Sequence, residues 1–236
     1  MGAYLLDVRC SMYSILILAA GIGSRMGLGY NKMLHILQGQ PVIVHTIKKF
    51  LSDMNCSQII LVVNELEIET MKQILCQAQI DDSRIEIVKG GAERQYSVYN
   101  GLQVVREDIV LVHDGARPFV TNEMIEQCYE LAKVGHPSIV AVPVKDTMKR
   151  VINGVVVETP NRDEMYSVQT PQASPTNLLK QAHEAAKAAA FLGTDEASLI
   201  EKYTTASVHI VKGAYTNIKL TTPEDLLMAE QLLAVD

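Results

Sequence analysis

The chain has 236 residues, 48% of them hydrophobic and 20% charged, no tryptophan and a formal net charge of −6. That length can bury a substantial core in one domain, while the acidic balance argues against a nucleic-acid backbone as partner. No apolar run approaches the length of a membrane span, so the basic residues that matter must be local and aimed at something small.

The start has no basic segment ahead of an apolar run, so no secretory leader is read. Gly2 suggests myristoylation, but Leu6 stands where Ser or Thr is needed. Residues 1–12 read as an extension ahead of the first strand, with Met12 as a candidate start. Cys10, Cys56, Cys76 and Cys128 are scattered and form no C-x-x-C pair. That pattern fits reduced thiols in the cytoplasm better than a zinc site or a disulfide framework.

Ile15 to Leu18 reads as a buried strand. It runs into Ala19-Ala20-Gly21-Ile22-Gly23-Ser24-Arg25-Met26, and Lys32 follows after a gap. Small residues let backbone approach a ligand, and Gly21 and Gly23 can turn successive N–H groups one way. With Arg25 and Lys32 this reads as a triphosphate cradle at the carboxyl end of the first strand. The plainer reading is a tight strand-to-helix turn. Met26 occupies the third glycine position of G-x-G-x-x-G, and Lys32 follows Asn31 rather than the glycine of a P-loop.

Further along, Pro41 to Leu51 reads as an amphipathic helix opened by proline. Strands follow at 59–63, 85–88, 109–112 and 139–142, with helices at 65–77, 93–105 and from Thr121 to about Val134. This alternation predicts an α/β chain with a mostly parallel twisted sheet and helices on both faces. The runs 148–152 and 155–159 flank Asn153-Gly154, the strongest short hairpin signal. We read an arm over about 145–168 that projects from a single domain spanning 1–236. A lone ribbon is marginal in water, so the arm packs on a partner subunit or folds back on its own domain. The helix 178–190, a strand at 207–211 and the helix 223–233 complete the chain.

Asp114 and Gly21 both follow buried strands, so the two strand ends face one crevice. Asp114 can hold a magnesium ion that bridges phosphates, or it can cap a turn. Arg117 can fix that turn or contact a ligand. Alternation along the strand sends His113 away from Asp114 and toward the core. Gly91 and Ser97 can read a base edge or cap a helix. Thr194 to Ser198 is a capping sequence, and Lys219 alone reads as a surface lysine. Gln169 to Gln172 is an unusual polar stretch at the end of the arm.

Six strings in order resemble one family. They are Ala19 to Met26, Val112 to Pro118, Pro143 to Arg150, Gln169 to Gln172, Thr194 to Ser198 and Asn217 to Leu226. From about Tyr13 onward the chain resembles the 2-C-methyl-D-erythritol 4-phosphate cytidylyltransferases. The resemblance implies a Rossmann-like nucleotidyltransferase fold whose β-arm interlocks in a homodimer. It implies CTP and a polyol phosphate as substrates, with Mg²⁺ beside Asp114. In that reading Arg25 and Lys32 stabilise charge at the α-phosphate of CTP, and Ala19, Ala20, Gly21, Gly23, Gly91 and Ser97 surround the nucleotide. Arg162 and Lys219 grip the acceptor phosphate, with Arg162 and Thr147 coming from the partner's arm. Thr170 and Thr194 match positions lining the site. Asn31 stands where the family commonly has proline and Tyr166 where many members have tryptophan. The string around Tyr166 is also similar to ribitol-5-phosphate cytidylyltransferases, which leaves ribitol 5-phosphate as the alternative acceptor.

Overall fold

The computed structural model describes residues 11–21 and 31–234. Arg25, Gly23 and most of the segment 1–12 therefore lie outside the described residues. The order is β1 (Tyr13–Leu18), β2 (Ile36–Leu37), β3 (Gln40–Pro41), α1 (Val42–Leu51), β4 (Cys56–Val63), α2 (Ile68–Gln77), β5 (Ile85–Lys89), α3 (Arg94–Leu102) and β6 (Ile109–Asp114). It continues with α4 (Asn122–Lys133), β7 (Ser138–Pro143), β8 (Arg150–Ile152), β9 (Val155–Glu158), β10 (Tyr166–Pro175), α5 (Thr176–Ala188), α6 (Glu196–Tyr203), β11 (His209–Lys212) and α7 (Pro223–Leu233).

Seven strands form one sheet in the order β11-β7-β10-β6-β1-β4-β5. All pairs are parallel except those of β10, which runs antiparallel to both β6 and β7. β1 is buried on both faces, and its period-two alternation sorts the core. Tyr13, Ile15 and Ile17 join one apolar cluster with Phe50 of α1, Met71 of α2 and Ile125 of α4. Leu16 and Leu18 join a second with Val98 of α3, Leu179 of α5 and Ile200 of α6. Two helical layers thus sandwich a sheet whose central strands read as continuous apolar runs.

Local signals set several boundaries. Thr121 caps α4 by accepting from the Met124 N–H. Thr222 and Asp225 make a capping box at α7, with Pro223 at its first position. The β8–β9 hairpin turns through Asn153 and Gly154, whose φ angles are +49° and +79°, as a two-residue turn of this hand requires. The helix expected over 93–105 stops at Leu102. The polar stretch read as the end of the arm is the middle of β10. Two prolines and few apolar residues hide that strand from periodicity. Among the described residues no helix is long and apolar enough to cross a membrane.

Candidate active site

From β1 the chain moves outward through β4 and β5, then returns to β6 on the other side of β1. The reversal opens a crevice at the carboxyl ends of β1 and β6, the usual ligand position of such sheets. Leu18 pairs with Asp114 there. A cavity of about 260 Å³ at this point is lined by Ala20, Gly21, Lys32, Gly91, Arg94, Ser97, Asp114 and Lys219, among others.

Small residues let the loops close on one another. A Cβ on Gly90 would sit 2.6 Å from the Ala20 Cβ, and one on Gly91 would sit 2.4 Å from the Tyr96 Cβ. The Gly91 N–H donates to Ser97 Oγ at 3.0 Å, and Ser97 Oγ donates to the Glu93 carbonyl at 3.1 Å. Ser97 therefore both lines the cavity and ties down the loop that opens α3.

Asp114 is the electrostatic centre. Lys219 Nζ lies 2.8 Å from Oδ2, Arg94 Nε 3.5 Å from Oδ1 and Arg117 Nε 3.7 Å from Oδ2. Burial opposes its charge, but Arg94, Lys219 and Arg117 outweigh burial and hold the carboxyl well below the usual carboxylate range. Arg94 is itself gripped by Glu196 at the start of α6 through two parallel bonds of 2.6 and 2.9 Å. Burial works against the guanidinium's charge, but the pairing with Glu196 prevails and raises its pKa. Lys32, Arg94, Arg117 and Lys219 face Asp114, Glu196 and the rim's Glu93. That excess of cations suits an anionic ligand.

Behind Asp114 runs a buried polar chain. The Asp114 N–H donates to Thr170 Oγ1 at 3.0 Å, and Thr170 Oγ1 lies 3.0 Å from His113 Nδ1. His113 Nε2 lies 3.0 Å from the Arg117 carbonyl. Burial pushes the His113 pKa down to about 4, so the ring is neutral near pH 7. The carbonyl needs a donor, which places the proton on Nε2 and leaves Nδ1 to accept from Thr170. His113 is thus a core residue that fixes the turn carrying Asp114. Arg117 also fixes it, donating from Nη1 to the Asn217 carbonyl at 2.7 Å.

Of the residues expected at the site, Ala20, Gly21, Lys32, Gly91, Ser97, Asp114 and Lys219 come together around the cavity. Ala19 is fully buried beneath it. Arg25 and Gly23 lie outside the described residues. Thr170 is not among the residues lining the cavity; its hydroxyl accepts from the Asp114 N–H and lies 3.0 Å from His113 Nδ1, so it supports the turn that carries Asp114. Thr194 is exposed and precedes Asp195, the N-cap of α6, and it does not line the cavity either. Thr147 and Arg162 are exposed at the base of the arm, outside the cavity of their own chain. Sequence reading missed Arg94 and Glu196. Their bond spans 102 positions, and no local pattern announces it.

Among the described residues no group of three His, Cys, Asp or Glu side chains is placed to hold a metal. Among the described residues lining the cavity, Asp114 offers a buried carboxylate and Glu93 an exposed one at the rim.

The family model described as IspD: 2-C-methyl-D-erythritol 4-phosphate cytidylyltransferase matches residues 13–235. The chain is 51% identical over 225 residues to the 2-C-methyl-D-erythritol 4-phosphate cytidylyltransferase of Bacillus velezensis, covering 95% of this chain and 97% of that one. It is 49% identical to that of Halalkalibacterium halodurans, covering 94% and 97%. Among solved structures, 4-diphosphocytidyl-2C-methyl-D-erythritol synthase from Anaerococcus prevotii superposes with a TM-score of 0.85 at 31% identity, covering 95% of this chain and 97% of its own. The Francisella tularensis enzyme gives 0.78 at 31% identity, covering 94% and 99%.

Proposed function

The chain belongs to the 2-C-methyl-D-erythritol 4-phosphate cytidylyltransferase family, and on that premise we propose the chemistry of its cavity. It transfers CMP from CTP to 2-C-methyl-D-erythritol 4-phosphate and releases pyrophosphate. The observation that carries this is the meeting of Lys32, Lys219, Asp114 and the glycine loops in one hollow at the ends of β1 and β6.

An oxygen of the acceptor phosphate forms the new bond to the α-phosphorus. The bond from that phosphorus to the pyrophosphate oxygen breaks. A phosphate monoester is largely ionised at neutral pH, with a second pKa of about 6, so no general base is needed. The barrier lies in bringing anions together and aligning them in line. Lys32, with Arg25 as the resemblance suggests, neutralises charge around the α-phosphate. Lys219 presents the acceptor phosphate. Ala19, Ala20, Gly21, Gly23, Gly91 and Ser97 surround the nucleotide.

Asp114 fits a magnesium ion that arrives with the triphosphate. Its carboxylate stays ionised, and one carboxylate beside phosphate oxygens is a common donor set for this cation. Bound there, Mg²⁺ would neutralise charge on the phosphates. The exposed arm, with Val151, Ile152, Val155, Val156 and Val157 each at least 46% accessible, supports a homodimer in which Arg162 and Thr147 reach the partner's cavity. The free thiols Cys56, Cys76 and Cys128 suit the cytoplasm.

The test follows pyrophosphate release from CTP and Mg²⁺ with each acceptor in turn. The expected result is fast release with 2-C-methyl-D-erythritol 4-phosphate, slow release with ribitol 5-phosphate and none after chelation with EDTA. A faster rate with ribitol 5-phosphate would reassign the acceptor, and silence with both would overturn the reaction.

A further inference from the structure

Lys32 rides on a short 3-10 turn, Lys32–Leu34. The residue before it, Asn31, is only 3% exposed and uses both ends of its carboxamide. Nδ2 donates to the Ala19 carbonyl at 3.0 Å and to Glu67 Oε2 at 2.7 Å, while Oδ1 accepts from the Met33 N–H at 3.1 Å. The Asn31 carbonyl also accepts from the Leu34 N–H at 2.9 Å. Ala19 leaves β1 where the glycine loop begins, Met33 follows Lys32, and Glu67 ends the turn that leads into α2. One buried side chain therefore joins the beginning of the loop, the end of the loop and a neighbouring helix. Buried hydrogen bonds of this kind hold geometry firmly, and the one to a carboxylate is charge-assisted.

We propose that Asn31 is a positioning residue: a clasp that sets the place of Lys32 over the cavity, with Glu67 as its anchor. The inference rests on the reading of Lys32 given above and deepens it. Lys32 is buried and lines the cavity. A shift of the turn beneath it moves the ammonium directly. A misplacement of about 1 Å at a reacting centre costs roughly 10²-fold in rate.

The experiment measures steady-state CMP transfer and melting temperature for Asn31→Ala, Asn31→Asp, Glu67→Ala and Glu67→Gln, and for Asn31→Ala combined with Lys32→Ala. Asn31→Asp keeps the oxygen that accepts from Met33 but loses both donations and faces Glu67 with a like charge. Both Asn31 variants are expected to lower kcat by about 10- to 100-fold with acceptor KM nearly unchanged, and to melt a few degrees lower. Glu67→Gln keeps an acceptor and should stay within about threefold of the parent, whereas Glu67→Ala should fall further. In the Lys32→Ala background, Asn31→Ala should cost less than about twofold, because the group it positions is gone.

Equal losses from Asn31→Ala with and without Lys32 would overturn the clasp, since only a general folding role acts on both alike. Parent-level kcat in Asn31→Ala, beside a crippled Lys32→Ala, would overturn the clasp alone. Parent-level kcat in Lys32→Ala would remove the reading beneath it and the clasp together. If Asn31→Ala does not fold, the Glu67 pair decides: equal rates for Ala and Gln at that position overturn the proposal.

Discussion

Lys32 and Lys219 line the same cavity but have different surroundings, and the difference predicts different kinetics. Lys32 is 8% exposed on a capped turn. Its loss should act on the transition state, lowering kcat by about 10²-fold or more, as removal of one preorganised donor does. The Lys219 side chain is 36% accessible with its ammonium 2.8 Å from Asp114. Lys219→Ala should mainly raise acceptor KM, and steady-state kinetics with each substrate varied separates the two. His183 on α5 makes a prediction about stability. Both ring nitrogens are buried with no hydrogen-bond partner among the described residues, and burial pushes its pKa from 6.5 down to about 4. Between those values the unfolded chain binds a proton that the folded chain refuses. Its contribution is therefore fully present above pH 6.5 and is lost as pH falls toward 4, at up to about 1.4 kcal/mol per pH unit. His183→Leu should raise the melting temperature more at pH 5 than at pH 8, which calorimetry at the two pH values would show.

At the scale of elements, β10 links the sheet to the site. Its ladder with β7 breaks between Val168 and Gln172, and the polar side chains at the break all make hydrogen bonds. Gln169 donates to the Ala214 carbonyl at 2.8 Å and accepts from Asn217 at 3.1 Å, beside the loop that carries Lys219. Thr170 holds the Asp114 amide. Gln172 donates to Asp195 at 2.9 Å and accepts from the Ala197 N–H at 3.1 Å, fixing the start of α6. Thr170→Val keeps the shape but strands a buried amide N–H and His113 Nδ1. It should cost about 1–3 kcal/mol of stability and lower kcat, while Thr170→Ser should restore both; chemical denaturation and rates check this. The hairpin shows the opposite case. Asn153-Gly154 announced β8 and β9 because a two-residue turn needs positive φ at both positions, which is a local demand. β10 has no such local signature; its place comes from pairing with β6 on one side and β7 on the other.

For the whole molecule, the arm raises the question of which chain completes which cavity. If Arg162 serves the partner's site, Arg162→Ala and Lys219→Ala homodimers each lack a needed cation in both cavities. A mixed dimer would regain one intact cavity and carry both lesions in the other. After subunit exchange, with acceptor held well below the raised KM of the Lys219 variant, an equal mixture should recover to about one quarter of the parent rate, since half the dimers are mixed and each has one good site. A mixture as inactive as its parts would return Arg162 to its own chain's site. Light scattering on a variant with Val155 and Val157 replaced by Asp would report whether the arm holds the proposed dimer, because charges on that face oppose its burial.

The sequence by itself determined the βα alternation, the helix caps, the hairpin, the crevice at the ends of β1 and β6 and most of the small residues lining it. These follow from apolar period, glycine and proline chemistry and neighbours a few positions apart, all of which are written locally. The tertiary structure alone decided that β10 runs antiparallel in mid-sheet, that the Thr170 hydroxyl holds the Asp114 amide, and that Arg94 is shared between Asp114 and Glu196. Each of these depends on partners between 20 and 102 positions away. Their charges and hydrogen bonds gain strength only once the sheet has closed around them and excluded water.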